Sequence, residues 1–247
     1  MTQWIEGRIA GKTFWTDHLF SIQVSADVEP FEAGQFVKLG LEIDGEIVGR
    51  AYSFASAPQV RPLDFYIVTV EGGALTPRLE ALAIGAPVMV TVKPAGHLVL
   101  HEIPDAEELW MLSTGTGLAP FVAMLGTEEL WQRFPKIIIV HGVRHAAELS
   151  YRETFTDAQR QHPGRLIYVP FVTREACDFA LPGRIPPAIA NGELEKAAGC
   201  PIAAERSHFL LCGNPDMVKD ATNILIERGL RKHKRKEAGH ISLETYW

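Results

Sequence analysis

Over the first hundred residues, apolar and polar positions alternate in short bursts. The segments 19–24, 35–39, 64–70 and 87–92 are short alternating or β-branched runs, the two-residue period of strands with one buried face. Turn-forming sequences separate them at Glu32-Ala33-Gly34, Asp44-Gly45, Gly72-Gly73 and Ala95-Gly96. Many short strands at this spacing predict an antiparallel sandwich or barrel, with one helical interruption over 76–82.

Beyond about residue 105 the rhythm changes. Unbroken apolar runs at 109–112 and 137–140 alternate with helix-compatible stretches from Pro120, over 151–161 and over 215–228, with further strands at 166–172 and 208–212. Continuous apolar runs between helices belong to a parallel sheet covered on both faces. The chain therefore reads as two domains: an antiparallel β-barrel with a capping helix over 1–102, and a doubly wound α/β domain over 103–247.

Composition narrows the possibilities. With 47% hydrophobic and 22% charged residues, the 247-residue chain has a globular composition. It has no apolar run of about 18 residues, so no spanning helix is expected. Its first residues lack a basic segment followed by an apolar one, and a cytoplasmic location is expected. Three cysteines, Cys177, Cys200 and Cys212, show no metal spacing, which argues against a metal, an iron–sulfur cluster or a disulfide framework. The net charge of −6 is uneven: residues 228–247 hold six of the 24 bases and two of the 30 acids. Such a run can bind nucleic acid, dock an acidic protein or solvate a helix end; on an acidic chain, nucleic acid is the weakest of the three.

Several segments carry chemistry. Arg50-Ala51-Tyr52-Ser53 puts a cation and an aromatic ring on one face of an extended strand, suited to an anion beside a flat ring. Gly73-Ala74-Leu75-Thr76 offers amides and a hydroxyl at a helix start, where Thr76 serves equally as an N-cap. Thr114-Gly115-Thr116-Gly117 runs from a buried strand into a helix beginning near Pro120, and its glycines admit a pyrophosphate. Cys212-Gly213-Asn214-Pro215 repeats the strand-to-helix setting, with Cys212 facing the crevice at the strand end. Arg144, Arg174 and Arg184 follow strand ends and suit a 2′-phosphate if they converge.

Taken in order, these motifs and the terminal Tyr246-Trp247 resemble the ferredoxin–NADP reductase family, in particular its bacterial ferredoxin (flavodoxin) members, over the whole chain. The resemblance implies that FAD lies on Arg50, Ala51, Tyr52 and Ser53, with Tyr66, Val68, Gly73, Leu75, Thr76 and Thr116 completing its site. It implies that NADP(H) lies on Gly115, Thr116 and Gly117, with Arg144, Thr173, Arg174 and Arg184 around the 2′-phosphate and Asn214 and Asp216 nearby. Ser53 near flavin N5, Cys212 beside the nicotinamide and Glu244 are the implied catalytic residues. Trp247 would stack on the adenine; because it extends the family's tyrosine terminus, the covering role of Tyr246 stays open. The implied activity is electron transfer from NADPH through FAD to ferredoxin or flavodoxin, by a monomer. The alternatives are a free-standing flavin reductase or oxygenase-reductase component, a flavin-binding sensor, and a nucleic-acid binder.

Overall fold

The computed structural model describes residues 2–245. They form two compact units: one runs to Val99 and takes in Ala119–Thr127, and the other holds Leu100–Leu118 and the chain from Glu128 onward.

The first unit is a six-stranded antiparallel sheet of β1 (Trp4–Phe14), β2 (Leu19–Ser25), β3 (Phe36–Ile43), β4 (Glu46–Ser53), β5 (Leu63–Val68) and β6 (Pro87–Thr91), in the order β4-β3-β6-β1-β2-β5. The outer strands meet where Phe54 bridges Phe65 and the Ala55 amide donates to the Asp64 carbonyl at 2.8 Å. That closure leaves no long free edge, so the sheet is a barrel. The closing bridge is also the centre of the core. Phe54 stacks on Phe31 with ring centroids 3.7 Å apart and tilts against Phe65 at 5.4 Å. A short helix, α1 (Thr76–Ala81), packs its buried Leu79 into this core, and the Lys12 ammonium donates to the Leu79 and Glu80 carbonyls at its C-terminal end. A second helix, α2 (Ala119–Leu125), belongs to the same unit, where Gln59 Nε2 donates to the Gly126 carbonyl that follows it.

The second unit is a six-stranded parallel sheet of β7 (Glu108–Thr114), β8 (Lys136–Val143), β9 (Leu166–Val172), β10 (Leu181–Pro182), β11 (Ser207–Gly213) and β12 (Ile241–Thr245), in the order β10-β9-β8-β7-β11-β12. The chain builds outward from β7 through β8 to β10, then returns to build β11 and β12 on the other side. The order therefore reverses between β7 and β11, where doubly wound sheets bind ligands at their carboxyl ends. The helices of this unit are α3 (Glu128–Arg133), α4 (Arg152–Gln161), α5 (Ile185–Ala190), α6 (Glu193–Ala198) and α7 (Pro215–Glu227). All of β11 is buried, and Trp110 of β7 stacks on Phe209 of β11 at 5.5 Å.

The expected barrel and doubly wound sheet are both present. The sequence reading lacked β1, β10, β12, α5 and α6. It also extended α7 to Arg228; the helix ends at Glu227, and Arg228 is its C-cap.

Because Phe54 has no solvent exposure and sits on the closing bridge, Phe54→Ala is expected to destabilise the barrel by about 3–5 kcal/mol. Urea unfolding followed by Trp fluorescence checks this, and a loss under about 1 kcal/mol would contradict it.

Candidate functional site

In the first unit the strand β4 carries the predicted group. Arg50 is exposed, and its guanidinium donates only to its neighbour's carbonyl, Gly49 O, at 2.9 Å; no described carboxylate pairs with it. Tyr52 is half-buried. Burial pushes its phenol up to about 12, against the opposing pull of Arg50, so the hydroxyl keeps its proton at neutral pH. Ser53 is buried opposite Phe36 of β3, while Ala51 is exposed. On β5, Tyr66 is buried and Val68 half-buried.

The loop between β5 and α1 folds back on itself. The Gly73 amide donates to the Val70 carbonyl at 2.9 Å, and the Thr76 hydroxyl accepts from the Val70 amide at 2.8 Å. Thr76 is therefore not the N-cap that the sequence suggested. Leu75 holds that position, and Thr76 is the first helical residue, tying the helix start to the strand end. Arg78, missed in the sequence, places its guanidinium on the Ala74 carbonyl of this loop at 2.6 Å.

In the second unit the turns after β7 and β11 touch backbone to backbone. A Cβ on Gly117 would lie 2.7 Å from the Cys212 carbonyl oxygen, a distance that real Cβ atoms do not adopt. Gly213, at φ +125, has the same constraint from the other side, where a Cβ would meet Thr114 Oγ1 at 2.5 Å. Thr114 Oγ1 also accepts the Asn214 amide at 2.9 Å. Asn214 in turn caps α7, accepting the amides of Asp216 at 2.9 Å and Met217 at 3.2 Å. Asp216 is exposed in the first helical turn, Thr116 is buried and Gly115 is half-buried.

The loops that carry Arg144, Arg174 and Arg184 meet along their backbones, which sequence alone could not establish. The Arg174 amide donates to the Arg144 carbonyl at 2.9 Å, the Thr173 amide to Val143 O at 3.1 Å, and the Gly183 amide to Val172 O at 3.1 Å. The ends of β8 and β9 and the start of α5 are thus laced together. All three arginines are exposed, and none pairs with a described carboxylate. Two carboxylates that sequence reasoning missed hold the loops from behind. Glu148 accepts the amides of Arg144 at 2.8 Å and His145 at 3.1 Å. Glu175 accepts the Ala146 amide at 2.6 Å and faces His145 Nδ1 at 3.2 Å. The Ala146 bond, helped by His145, lowers the Glu175 pKa below the ordinary carboxyl value.

Cys212 is fully buried at the end of β11, in register with Ser113 of β7 and Glu244 of β12. Glu244 is half-buried, yet its Oε2 is enclosed without a hydrogen-bond partner among the described residues. Burial pushes its pKa up to about 7. The expectations for Tyr246 and Trp247 lie outside the described residues.

The basic terminal segment forms a tight loop ahead of β12, closed by paired backbone bonds between Lys234 and Glu237. Part of its charge is paired: Arg228 with Glu195 at 2.7 Å, Lys234 with Glu237 at 3.6 Å and Arg235 with Glu102 at 3.9 Å. It leads into the amino end of β12, where Lys232 bridges Ile241, while the turn at Gly213 pairs with Thr245 at that strand's other end.

The chain thus carries a closed antiparallel barrel and a doubly wound sheet whose order reverses at two glycine turns. Residues 16–99 match the oxidoreductase FAD-binding domain family, and residues 111–223 match the oxidoreductase NAD-binding domain family. The chain is 47% identical to the flavodoxin/ferredoxin–NADP reductase of Shigella flexneri and 46% identical to that of Escherichia coli K12, in each case over all of both chains. A solved structure of a ferredoxin NADP+ reductase from Neisseria gonorrhoeae, with bound FAD and NADP, superposes with a TM-score of 0.94 at 30% identity over 99% of each chain. The chain belongs to the flavodoxin/ferredoxin–NADP reductase family.

The Glu244 carboxyl supplies a pH test. Its folded value of about 7 lies above the ordinary 4.5, so the folded state binds the extra proton. The stability this gives is full below about pH 4.5 and is lost as pH rises through about 7. Glu244→Gln should therefore melt with the wild type at about pH 4.5 and above it at about pH 8. Parallel melting profiles for the two proteins would contradict the assignment.

Proposed function

We propose that the chain is an FAD-dependent enzyme that takes electrons from NADPH and passes them singly to ferredoxin or flavodoxin. The observation that carries this reading is that backbone bonds bring together the loops of three exposed arginines, none of them paired with a described carboxylate, in a chain of this family. An acid on the ribose would favour NADH; three guanidiniums favour a 2′-phosphate.

The barrel residues fit a flavin dinucleotide by their chemistry. Arg50 is a cation that no described carboxylate neutralises, so it suits a pyrophosphate. The half-buried ring of Tyr52 offers an apolar face with a protonated hydroxyl. Ser53 adds a small polar group that leaves room for a flat ring near the strand. The Gly73–Thr76 loop supplies amides for the far side of the pyrophosphate, and Ala51, Tyr66, Val68 and Leu75 wall the site. We assign this role to residues 1–102 and the nicotinamide role to 103–247.

In the second module, Gly115, Thr116 and Gly117 receive the NADP pyrophosphate, with Asn214 and Asp216 at the facing turn. Arg144, Thr173, Arg174 and Arg184 bind the 2′-phosphate. Bound flavin supplies what no side chain can: it accepts electrons in pairs from nicotinamide and releases them one at a time. The protein contributes position. Ser53 and Cys212 are each small, so neither side chain would crowd a flat ring at its own site. Glu244, beside Cys212 and half-titrated near neutrality, is placed to hold or release a proton at its carboxyl. No helix of the described residues is long and apolar enough to cross a membrane. From the family resemblance, and not from that absence, we infer a monomer that works in the cytoplasm.

Two experiments test this reading. The purified protein should retain or take up FAD and, with NADPH, reduce ferredoxin or flavodoxin. Arg174→Ala should raise the KM for NADPH by about tenfold or more while leaving the slow NADH reaction nearly unchanged. Equal losses with both nucleotides would remove the 2′-phosphate assignment.

The basic loop acts on the partner at long range. Lys232 and Lys236, which pair with no described carboxylate, are the residues to reverse. Lys232→Glu with Lys236→Glu should slow reduction of an acidic partner by about threefold to tenfold at low salt and spare a small dye. The difference should vanish at high ionic strength. Equal slowing of partner and dye would rule out steering.

A further inference from the structure

His141 ends an apolar run, following Ile137, Ile138, Ile139 and Val140 on β8. Its ring has no solvent exposure. Nε2 lies 3.1 Å from the Gly115 carbonyl oxygen, and Nδ1 has no partner among the described residues. Burial holds the ring's pKa down near 4, against the smaller opposing influences of the Gly115 carbonyl and Glu148, so the ring is neutral at physiological pH. A carbonyl partner then fixes the tautomer: the proton sits on Nε2, which donates.

As core material this is a poor choice. Phenylalanine or leucine would fill the space without enclosing a bare nitrogen, and an unsatisfied buried polar atom is destabilising. The one bond that the ring does make goes to the turn after β7. Gly115 opens that turn at φ +52. A turn that receives an anion must aim its N–H groups outward, and a carbonyl facing the same way would repel the charge. The His141 Nε2–H engages the Gly115 carbonyl, so that oxygen faces a ring with no solvent exposure.

We propose that His141 is a positioning residue for the dinucleotide, holding the Gly115 carbonyl inward so that the turn presents its amides to the pyrophosphate. The role rests on the assignment of this turn to the NADP pyrophosphate made above. His141 touches neither cofactor; it acts through the backbone of Gly115.

The test compares two probes on the flavin-loaded protein by equilibrium titration: NADP+, and 2′-AMP, which carries the 2′-phosphate but no pyrophosphate. His141→Met fills the space without a donor. His141→Gln restores an N–H on a longer side chain, and His141→Asn offers one too short to reach. The wild type should bind NADP+ more tightly than 2′-AMP. His141→Met and His141→Asn should each lose about tenfold or more toward NADP+ while 2′-AMP affinity stays within about twofold, and His141→Gln should recover most of the loss. Thermal midpoints near wild type in the folded variants would separate this from a structural role; should one variant fail to fold, the other carries the test. Losses for both probes alike, no loss for either, or Gln no better than Met would overturn the proposal. If the wild type gains nothing from the pyrophosphate, the assignment of the turn itself fails. If the wild type gains and the Met variant keeps the gain, only His141 loses its role.

Discussion

The contact on which the site depends is backbone against backbone. Gly117 after β7 rests on the Cys212 carbonyl and on Gly213 at the end of β11, and Thr114 ties the two turns together through the Asn214 amide. No side chain fits between them. Interiors pack at crystal-like density, so even one methyl group here would have to push the strand ends apart. The same contact sets the mouth of the crevice where the sheet order reverses. It also fixes the ends of the strands that carry Ser113, Cys212 and Glu244 in register. Preorganisation of this kind lets a site hold its ligand without ordering loops at the moment of binding.

Much of the fold was legible because its signals are local. The period-two runs at 19–24, 64–70 and 87–92 became β2, β5 and β6, and the unbroken apolar runs became the buried parallel strands. What was missed has physical reasons. In β1 the register shifts between Ile9 and Gly11, so a regular alternation is broken midway. β12 buries only Ile241 fully, too little to show as an apolar run, and β10 is two residues long. α5 and α6 are six residues each, short of any helical period that a pattern could reveal.

The site divided in the same way. Glycine turns announce themselves because few other residues tolerate their geometry, so the segments around Gly117 and Gly213 were visible from the chain alone. The meeting of the arginine-bearing loops was not, since it depends on backbone bonds such as Arg174 to Arg144, made between separate loops. Glu148, Glu175 and His141 act on backbone groups of other residues, and no motif marks such partners; a histidine within an apolar run was the one available hint. In the terminal segment the charges were plain, but the ion pairs of Arg228, Lys234 and Arg235 were not.

The central claim is that this protein takes its electrons from NADPH through a flavin. It is tested most directly by anaerobic stopped-flow mixing of the FAD-loaded protein with NADPH and, separately, with NADH, followed at the flavin absorption band. Rapid bleaching by NADPH and much slower bleaching by NADH is the predicted result. Equal rates with the two nucleotides, or a protein that stays colourless after incubation with FAD, would contradict it.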